Sequence, residues 1–211
     1  MLQTDTKSRI MDAAEQLFAR DGFHTTSLRG LTELANVNLA AVNYHFGSKE
    51  GLLQAVISRR LLPLNELRRQ KLKTVLNQAA TVGSPPPAAD LLRAFIEPTL
   101  DFRNSAPGAK DFIALIGRSL SEPDETVRNY FIQQILPVFK LLFDSLQKAL
   151  PDLPADILMA RLQFTMGAMG HTMCSSARPK QLIPGFPAPL SDTGLVADLI
   201  RFVSAGLEAP C

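Results

Sequence analysis

Apolar residues recur every three or four positions through most of the 211-residue chain, and almost none alternate with the two-residue period of a strand. The first such stripe predicts an amphipathic helix over residues 6–20. Its members are Ile10, Ala13, Ala14, Leu17 and Phe18. Gly22 comes just after it, where a residue in a left-handed conformation commonly ends a helix. The pattern predicts an all-α protein.

Three more helix starts follow at short intervals. Thr26-Ser27 offers a side-chain cap for a second helix, in which Leu28, Leu31 and Ala35 are the predicted buried positions. Asn36, a residue type that tolerates the left-handed conformation, predicts a tight turn. A third helix is expected from Asn38 to about His45, and Ser48 is placed to cap a fourth.

The third helix has two distinct faces. At roughly 100° per residue, Val42 and Phe46 fall together, with Leu39 and His45 within about 60° of Val42. The opposite face carries Ala40, Ala41, Asn43 and Tyr44. Small residues permit close approach, and an asparagine amide can make a bidentate contact with an adenine edge in the DNA major groove. A polar helix end before a glycine turn would show the same residue types, so this face alone leaves both interpretations open.

The start of the fourth helix favours the DNA interpretation. Ser48 and Lys49 bring backbone N–H groups, a positive dipole end and an ammonium to one point, which is a phosphate anchor. The capped start at Thr26-Ser27 offers a second anchor. A helix, a turn of three or four residues and a short second helix have helix-turn-helix spacing.

Residues 6 to 53 resemble the N-terminal DNA-binding domain of the tetracycline-repressor (TetR) family of bacterial transcription regulators. The resemblance rests on RIMDAAEQLFARDGF, TSLRGLTELANVN and NYHFGSKEGLL. It implies DNA contacts from Ser27, Ala40, Ala41, Asn43, Tyr44, His45 and Lys49. Two positions depart from the family pattern: Asn36 replaces the usual turn glycine, and Asn43 replaces a common tyrosine. We therefore expect an operator different from that of better-known members.

The remaining chain predicts a larger helical body. Gly83-Ser84-Pro85-Pro86-Pro87 reads as a linker, and Pro63 predicts a break or kink at which a further helix begins. Later helices are expected at 88–104, 110–120, 124–149, 155–177 and 193–208, with kinks at Pro98 and Pro137 and a loop from Arg178 to Pro189. The predicted organisation is a three-helix DNA-binding domain over 1–53 and a ligand-binding and dimerisation domain over 54–211.

Nothing in the sequence predicts catalysis. The three histidines, His24, His45 and His171, lie in no metal-ligand spacing, and no GxSxG, P-loop or GxGxxG pattern occurs. The two cysteines, Cys174 and Cys211, form no disulfide or metal pattern. We expect neither an enzyme nor a cofactor.

The body is rich in phenylalanine and methionine. Such residues on helices are most often core, but they also suit the lining of a pocket for an elongated apolar ligand, and the resemblance implies a small-molecule pocket. The candidate lining residues are Phe95, Phe102, Phe112, Phe131, Phe164, Met169 and His171. The AAVNYHFGSK sequence is similar to that of fatty-acid-responsive members of the family, and also to that of members with other or unknown effectors. A fatty-acyl effector is therefore the hypothesis.

Charge is unevenly distributed. Through Lys73 there are 11 Lys+Arg and 7 Asp+Glu, and the remainder has 11 and 13. This balance is compatible with an anionic partner at one end, and equally with an ordinary solvated surface. No basic-then-apolar leader opens the chain, and Arg161, Gln163 and His171 interrupt its most apolar stretch, so a cytoplasmic protein without a membrane partner is expected.

The resemblance implies a homodimer built on the last two helices, since two recognition helices related by a two-fold axis read a palindrome. Ala160, Gly167, Ala168 and Gly170 would allow close helix approach, and Leu195, Ile200 and Val203 would supply an apolar stripe. The predicted function is a ligand-responsive regulator, a repressor of a palindromic operator. The alternative is a helical ligand-binding or scaffolding module without operator binding.

Overall fold

The computed structural model describes residues 5–105, 107–121, 125–175 and 192–210. Within these ranges the regular structure is helical, with no strand, so the all-α prediction is confirmed. The helices are α1 (Thr6–Asp21), α2 (Leu28–Ala35), α3 (Leu39–Phe46), α4 (Lys49–Val82), α5 (Ala88–Ser105), α6 (Ala109–Ser121), α7 (Glu125–Ala149), α8 (Ala155–Ser175) and α9 (Asp192–Leu207). None of the helices described is both long and apolar enough to cross a bilayer.

The first three helices pack around the apolar stripe of α1. Every member of the predicted stripe is buried, and Ile10, Ala14 and Phe18 are fully so. α2 and α3 each contact α1 and each other, with Leu31 and Val42 as their fully buried residues. Burial of such side chains is the main favourable contribution to this small cluster, at about 1.5–3 kcal/mol for each large one.

Side chains cap the starts of α2, α3 and α4. Ser27 Oγ, Asn38 Oδ1 and Ser48 Oγ each accept the backbone N–H three residues further on, at 3.0, 2.9 and 3.0 Å. The caps at Ser27 and Ser48 are as predicted. Asn38, expected within the third helix, is its N-cap, and Asn36 takes the predicted left-handed conformation at φ 51° and ψ 54°. These residues fix the tight turn between α2 and α3.

The fourth helix departs from the prediction. The sequence predicts a break or kink near Pro63 at which a further helix begins, but α4 continues through this position as one helix of 34 residues. Proline removes one N–H from the helix ladder and crowds the preceding turn, which costs about 3 kcal/mol or more. Leu61 and Leu64, on either side, are buried. We infer that this packing outweighs the lost hydrogen bond, so that one helix forms instead of two.

The later helices match the sequence pattern to within a few residues. Residues 83–87 are non-helical, as predicted for the linker, and Pro98 and Pro137 lie inside α5 and α7. The loop predicted from Arg178 to Pro189 and the terminal Cys211 lie outside the described residues, as does the side chain of Cys174.

The chain divides into two compact units. The first comprises Met1–Pro63 and Asn104–Ile135, and the second comprises Leu64–Arg103 and Leu136–Cys211. The first unit thus contains α1 to α3, the start of α4, α6 and the start of α7. The division predicted after residue 53 falls inside this unit and stays a prediction.

Candidate nucleic-acid interface

The outward face of α3 carries the candidate base-reading residues. Ala40 and Asn43 are exposed, and Tyr44 is 86% exposed. Ala41 and His45 are half-buried, and the fully buried Val42 fastens the helix to the cluster beneath. The face therefore stands on a packed element, as positioning against a duplex requires.

Leu39 does not follow the predicted pattern. Helical periodicity predicts that Leu39 lies near Val42 on the inward face, but Leu39 is 48% exposed. Leu39 is the first residue of α3, beside the turn at Asn36, and an eight-residue helix buries few positions. An exposed leucine beside Ala40 adds apolar surface to the outward face, where thymine methyl groups are suitable partners.

Lys49 is held from two sides within the chain. Its Nζ donates to the His24 carbonyl oxygen at 3.2 Å and lies 4.7 Å from the centre of the Phe23 ring. The side chain thereby fastens the connection between α1 and α2 to the start of α4. An ammonium has three N–H donors, so this arrangement is compatible with a phosphate contact and adds a positioning role that sequence reasoning missed.

The N-terminus of α4 is less open than the sequence suggested. The Ser48 side chain accepts the Gly51 N–H. The Glu50 carboxylate accepts from its own backbone N–H and from the Ser48 hydroxyl, and these hydrogen bonds lower the pKa of Glu50. The protein's own oxygens thus engage two of the first backbone donors. At the predicted phosphate anchor, the Lys49 ammonium therefore lies beside the Glu50 carboxylate, which carries the opposite charge.

Gly51 sets the junction of α3 and α4. A Cβ at this position would lie 2.2 Å from the Phe46 carbonyl oxygen, a backbone atom that cannot move without shifting the end of α3. The glycine belongs to the NYHFGSKEGLL pattern, but sequence reasoning gave it no function. Its close approach, not a positive φ, is what requires glycine here.

A buried ion-pair cluster supports this unit from behind. Glu15 is 1% exposed, and its carboxylate accepts from Arg59 Nη2 at 2.6 Å and from Arg60 Nε and Nη2 at 2.9 and 2.7 Å. Arg60 also donates to the Pro107 carbonyl oxygen at 2.8 Å. The hydrogen bond and charge of Glu15 raise the pKa of Arg60. The sequence feature that could have predicted this cluster is a glutamate next to the apolar stripe of α1.

The turn before α6 closes on this cluster. A Cβ at Gly108 would lie 2.5 Å from Arg60 Nη2 and 2.9 Å from Glu15 Oε2, and Gly108 has φ 78°. Both the close approach and the backbone conformation favour glycine. α1, α4 and the turn before α6 are therefore joined through one carboxylate.

The predicted ligand-lining residues are divided between the two units. Phe112 and Phe131 belong to the first unit, and the other five to the second. Phe95 and Met169 are buried, and Phe102 is half-buried. Phe164 is 75% exposed and His171 is exposed. Helical periodicity turns these two side chains away from the buried Leu158 and Leu162, and their role in ligand binding stays a prediction.

Two family models match the chain. The model described as "Tetracyclin repressor-like, C-terminal domain" covers residues 93–206, and the one described as "Bacterial regulatory proteins, tetR family" covers residues 10–56. The HTH-type transcriptional regulator UidR of Escherichia coli K12 is 36% identical over 52 residues, which are 25% of this chain and 26% of UidR. The matched stretch thus spans about a quarter of that relative's length.

Solved structures share the fold. The fatty acid degradation regulator FadR from Bacillus halodurans has a TM-score of 0.69 at 13% identity over 100% of both chains. FadR from Bacillus subtilis, solved in complex with stearoyl-CoA, has a TM-score of 0.68 at 14% identity over 94% of this chain and 97% of that one. The helix-turn-helix geometry and the two family matches, which together cover most of residues 10–206, lead to one assignment. The chain belongs to the TetR family of bacterial transcription regulators.

Proposed function

We propose that this chain is a homodimeric, cytoplasmic repressor that binds a palindromic DNA operator and is released from it by a small apolar effector. The observation that carries the proposal is the outward face of α3, where Asn43 and Tyr44 are exposed on a short helix anchored by Val42. A large aromatic at 86% exposure gains little from burial in its own chain, which favours a partner at that face.

Each residue of the face has a proposed role. Asn43 reads an adenine edge, and Ala40 and Ala41 admit the helix to the major groove. Tyr44, His45 and Lys49 bind backbone phosphates, and Ser27 does so at the start of α2. Because phosphate contacts position the protein and base contacts specify the sequence, Asn43 is the residue on which selectivity depends most.

A second copy of the chain is the proposed partner at α8 and α9. Phe202 on α9 is 72% exposed and Phe164 on α8 is 75% exposed, and α8 packs against α9. Gly167, Gly170 and Gly206 have open space where a Cβ would lie. Ile200 and Val203, predicted for this interface, are already buried in their own chain, so the exposed phenylalanines supply its apolar surface.

The effector is proposed from chemistry and resemblance together. The second unit buries Phe95 and Met169 and half-buries Phe102, side chains that suit an apolar ligand. The Bacillus subtilis FadR, of similar fold, was solved with stearoyl-CoA, which favours the fatty-acyl class. The family consists of regulators, and we propose no catalytic reaction.

Selection of DNA sequences from a random pool by the purified protein tests the proposal. We expect a palindrome, and a complex containing two chains by sedimentation equilibrium. Asn43→Ala should then weaken binding to the selected operator by about 1–3 kcal/mol and change binding to random DNA little. Asn77→Ala, at an exposed position of α4, is the matched control and should change neither.

Two outcomes contradict the proposal. Failure to enrich any sequence would favour the alternative of a helical ligand-binding or scaffolding module. Equal losses by Asn43→Ala on operator and random DNA would place Asn43 among the phosphate contacts and leave selectivity to another residue.

A further inference from the structure

Arg68 is a buried cation in the second unit. It lies on α4 and is 1% exposed. Its Nε donates to the Phe95 carbonyl oxygen at 3.1 Å, Nη1 donates to Asn65 Oδ1 at 2.9 Å, and Nη2 donates to the Thr99 hydroxyl. Its guanidinium lies 4.4 Å from the centre of the Phe95 ring. Every one of these partners is electrically neutral.

Carboxylates close by in sequence are engaged elsewhere. Glu66, two residues before Arg68, pairs with Arg69. Glu97, on the helix that packs against Arg68 through Phe95, pairs with Arg93 at 2.9 Å and is 3.8 Å from Lys71. Among the residues that the structure describes, no ion pair to Arg68 is formed. Its positive charge is therefore uncompensated by a carboxylate in this part of the chain.

An isolated buried charge is unfavourable, because it loses its hydration without gaining a counter-ion. Burial lowers the pKa of Arg68 to about 9, which leaves the guanidinium charged at neutral pH. Proteins rarely bury a charge unless it is paired. A bound anion would supply the missing partner.

The guanidinium has donors to spare for such an anion. It carries five N–H groups, and the three hydrogen bonds to Phe95, Asn65 and Thr99 use three of them. One N–H remains on each terminal nitrogen. Two donors on one planar fork match the two oxygens of a carboxylate, which accepts parallel hydrogen bonds from them.

The surroundings specify the rest of the ligand. Phe95 stacks on the guanidinium and meets Phe139 edge to face, with ring centres 6.5 Å apart. Leu72, one turn after Arg68 on α4, and Leu91 and Leu92, one turn before Phe95 on α5, are also fully buried. An extended polar or multiply charged head group would meet apolar side chains here, whereas a compact carboxylate on a hydrocarbon chain would find matching surroundings.

We propose that Arg68 is the head-group site for the free carboxylate of an apolar effector, of the fatty-acid class. The inference rests on the proposed function in that it names the effector's chemical class. On binding, the carboxylate accepts from both terminal nitrogens of Arg68, and its hydrocarbon chain packs against the Phe95 and Phe139 side. Asn65 and Thr99 are neutral partners of the guanidinium and leave its charge uncompensated.

Calorimetric titration of the intact protein tests this with decanoate, decanol and decanoyl-CoA. We expect decanoate to bind at least about tenfold more tightly than decanol, because decanol cannot form the charge-assisted hydrogen bonds to Arg68. Arg68→Gln should weaken decanoate binding by at least about tenfold and leave decanol binding nearly unchanged. Arg69→Gln, which removes an equal charge from the next position, is the matched control and should bind decanoate like the original protein.

A purely structural role for Arg68 is the competing explanation. Pro98 in α5 deprives the Ala94 carbonyl of its helical N–H, and Arg68 would brace the adjacent turn through Phe95. Thr99→Val distinguishes the ligand-binding role from the structural one. It removes a neutral hydrogen-bond acceptor from the guanidinium, which leaves the charge more in need of an anion, and it keeps the side-chain volume. Tighter decanoate binding to Thr99→Val supports the proposal, and it decides the matter if Arg68→Gln does not fold. Unchanged affinity would overturn it.

The outcomes also distinguish failure of the Arg68 assignment from failure of the proposed DNA-binding function. Equal binding of decanoate and decanol, or preference for decanoyl-CoA, overturns the Arg68 assignment even if the ligand releases operator DNA. Selective decanoate binding through Arg68 by a protein that selects no DNA sequence would support the assignment and contradict the proposed regulator.

Discussion

At the scale of single residues, the Lys49 ammonium is held by neighbours inside the chain. It binds the His24 carbonyl oxygen and lies over the Phe23 ring, and a DNA phosphate is its proposed partner outside the chain. The Glu50 carboxylate, whose pKa is lowered by hydrogen bonds from its own backbone N–H and from Ser48, lies beside it. The local charge is thus balanced more closely than the basic residue alone suggests.

Lys49→Ala should weaken binding to operator and random DNA alike, because a phosphate contact carries no sequence information. The slope of log K against log salt concentration should fall in magnitude by about 1, as measured by fluorescence anisotropy over a salt series. Lys73→Ala removes the same charge from an exposed position later on α4 and should leave the slope unchanged. An unaltered slope for Lys49→Ala, with one base preference relaxed, would rule out the phosphate role.

At the scale of helices, the Glu15 cluster joins three elements of the first unit. Arg59 and Arg60 of α4 both meet a carboxylate on α1, and Arg60 also binds the turn before α6. Breaking a buried ion pair by removing one partner is strongly destabilising, because the other charges remain buried. This cluster therefore holds α1 and α4 in register, and it contributes more to stability than an exposed pair within one helix such as Arg29–Glu33.

Glu15→Gln should lower the free energy of unfolding by about 3 kcal/mol, as measured by urea denaturation. Asp12→Asn is the matched control, since Asp12 also binds Arg59, at 2.7 Å, but its side chain is 60% exposed. We expect the control to cost less than about 1 kcal/mol. Similar decreases in the free energy of unfolding for the two variants would show that burial does not make the Glu15 ion pairs more important than the exposed Asp12 pair.

At the scale of the whole molecule, effector and operator should oppose each other. Linkage requires that a ligand which weakens DNA binding by some factor is itself bound more weakly, by the same factor, in the presence of DNA. Coupling of about 1–3 kcal/mol, or about 5- to 150-fold, is typical. α4 belongs to both units, since it begins at Lys49 and carries Arg68.

We expect an apolar effector to lower operator affinity, and operator DNA to lower effector affinity by the same factor. Paired titrations of decanoate into protein with and without operator DNA measure the second effect, and operator titrations at fixed decanoate measure the first. Equal decanoate affinities in the two titrations would exclude an allosteric role for that compound.

The sequence by itself determined the local structure. The apolar stripe of α1, the caps at Ser27 and Ser48 and the left-handed Asn36 depend on neighbours a few positions away, so residue type and spacing predict them. The linker at 83–87 and most helix limits follow from the same local rules. The outward face of α3 was predictable too, except for Leu39.

Only the tertiary structure decided which residues meet across long separations. Glu15 meets Arg59 and Arg60 at separations of 44 and 45 residues, and Arg68 meets Phe95 and Thr99 at 27 and 31. Whether a charge is buried, and whether it finds a counter-charge, depends on how distant helices pack, which no local period encodes. Packing likewise keeps α4 continuous through Pro63, where the local rule predicted a break or kink and the start of a further helix.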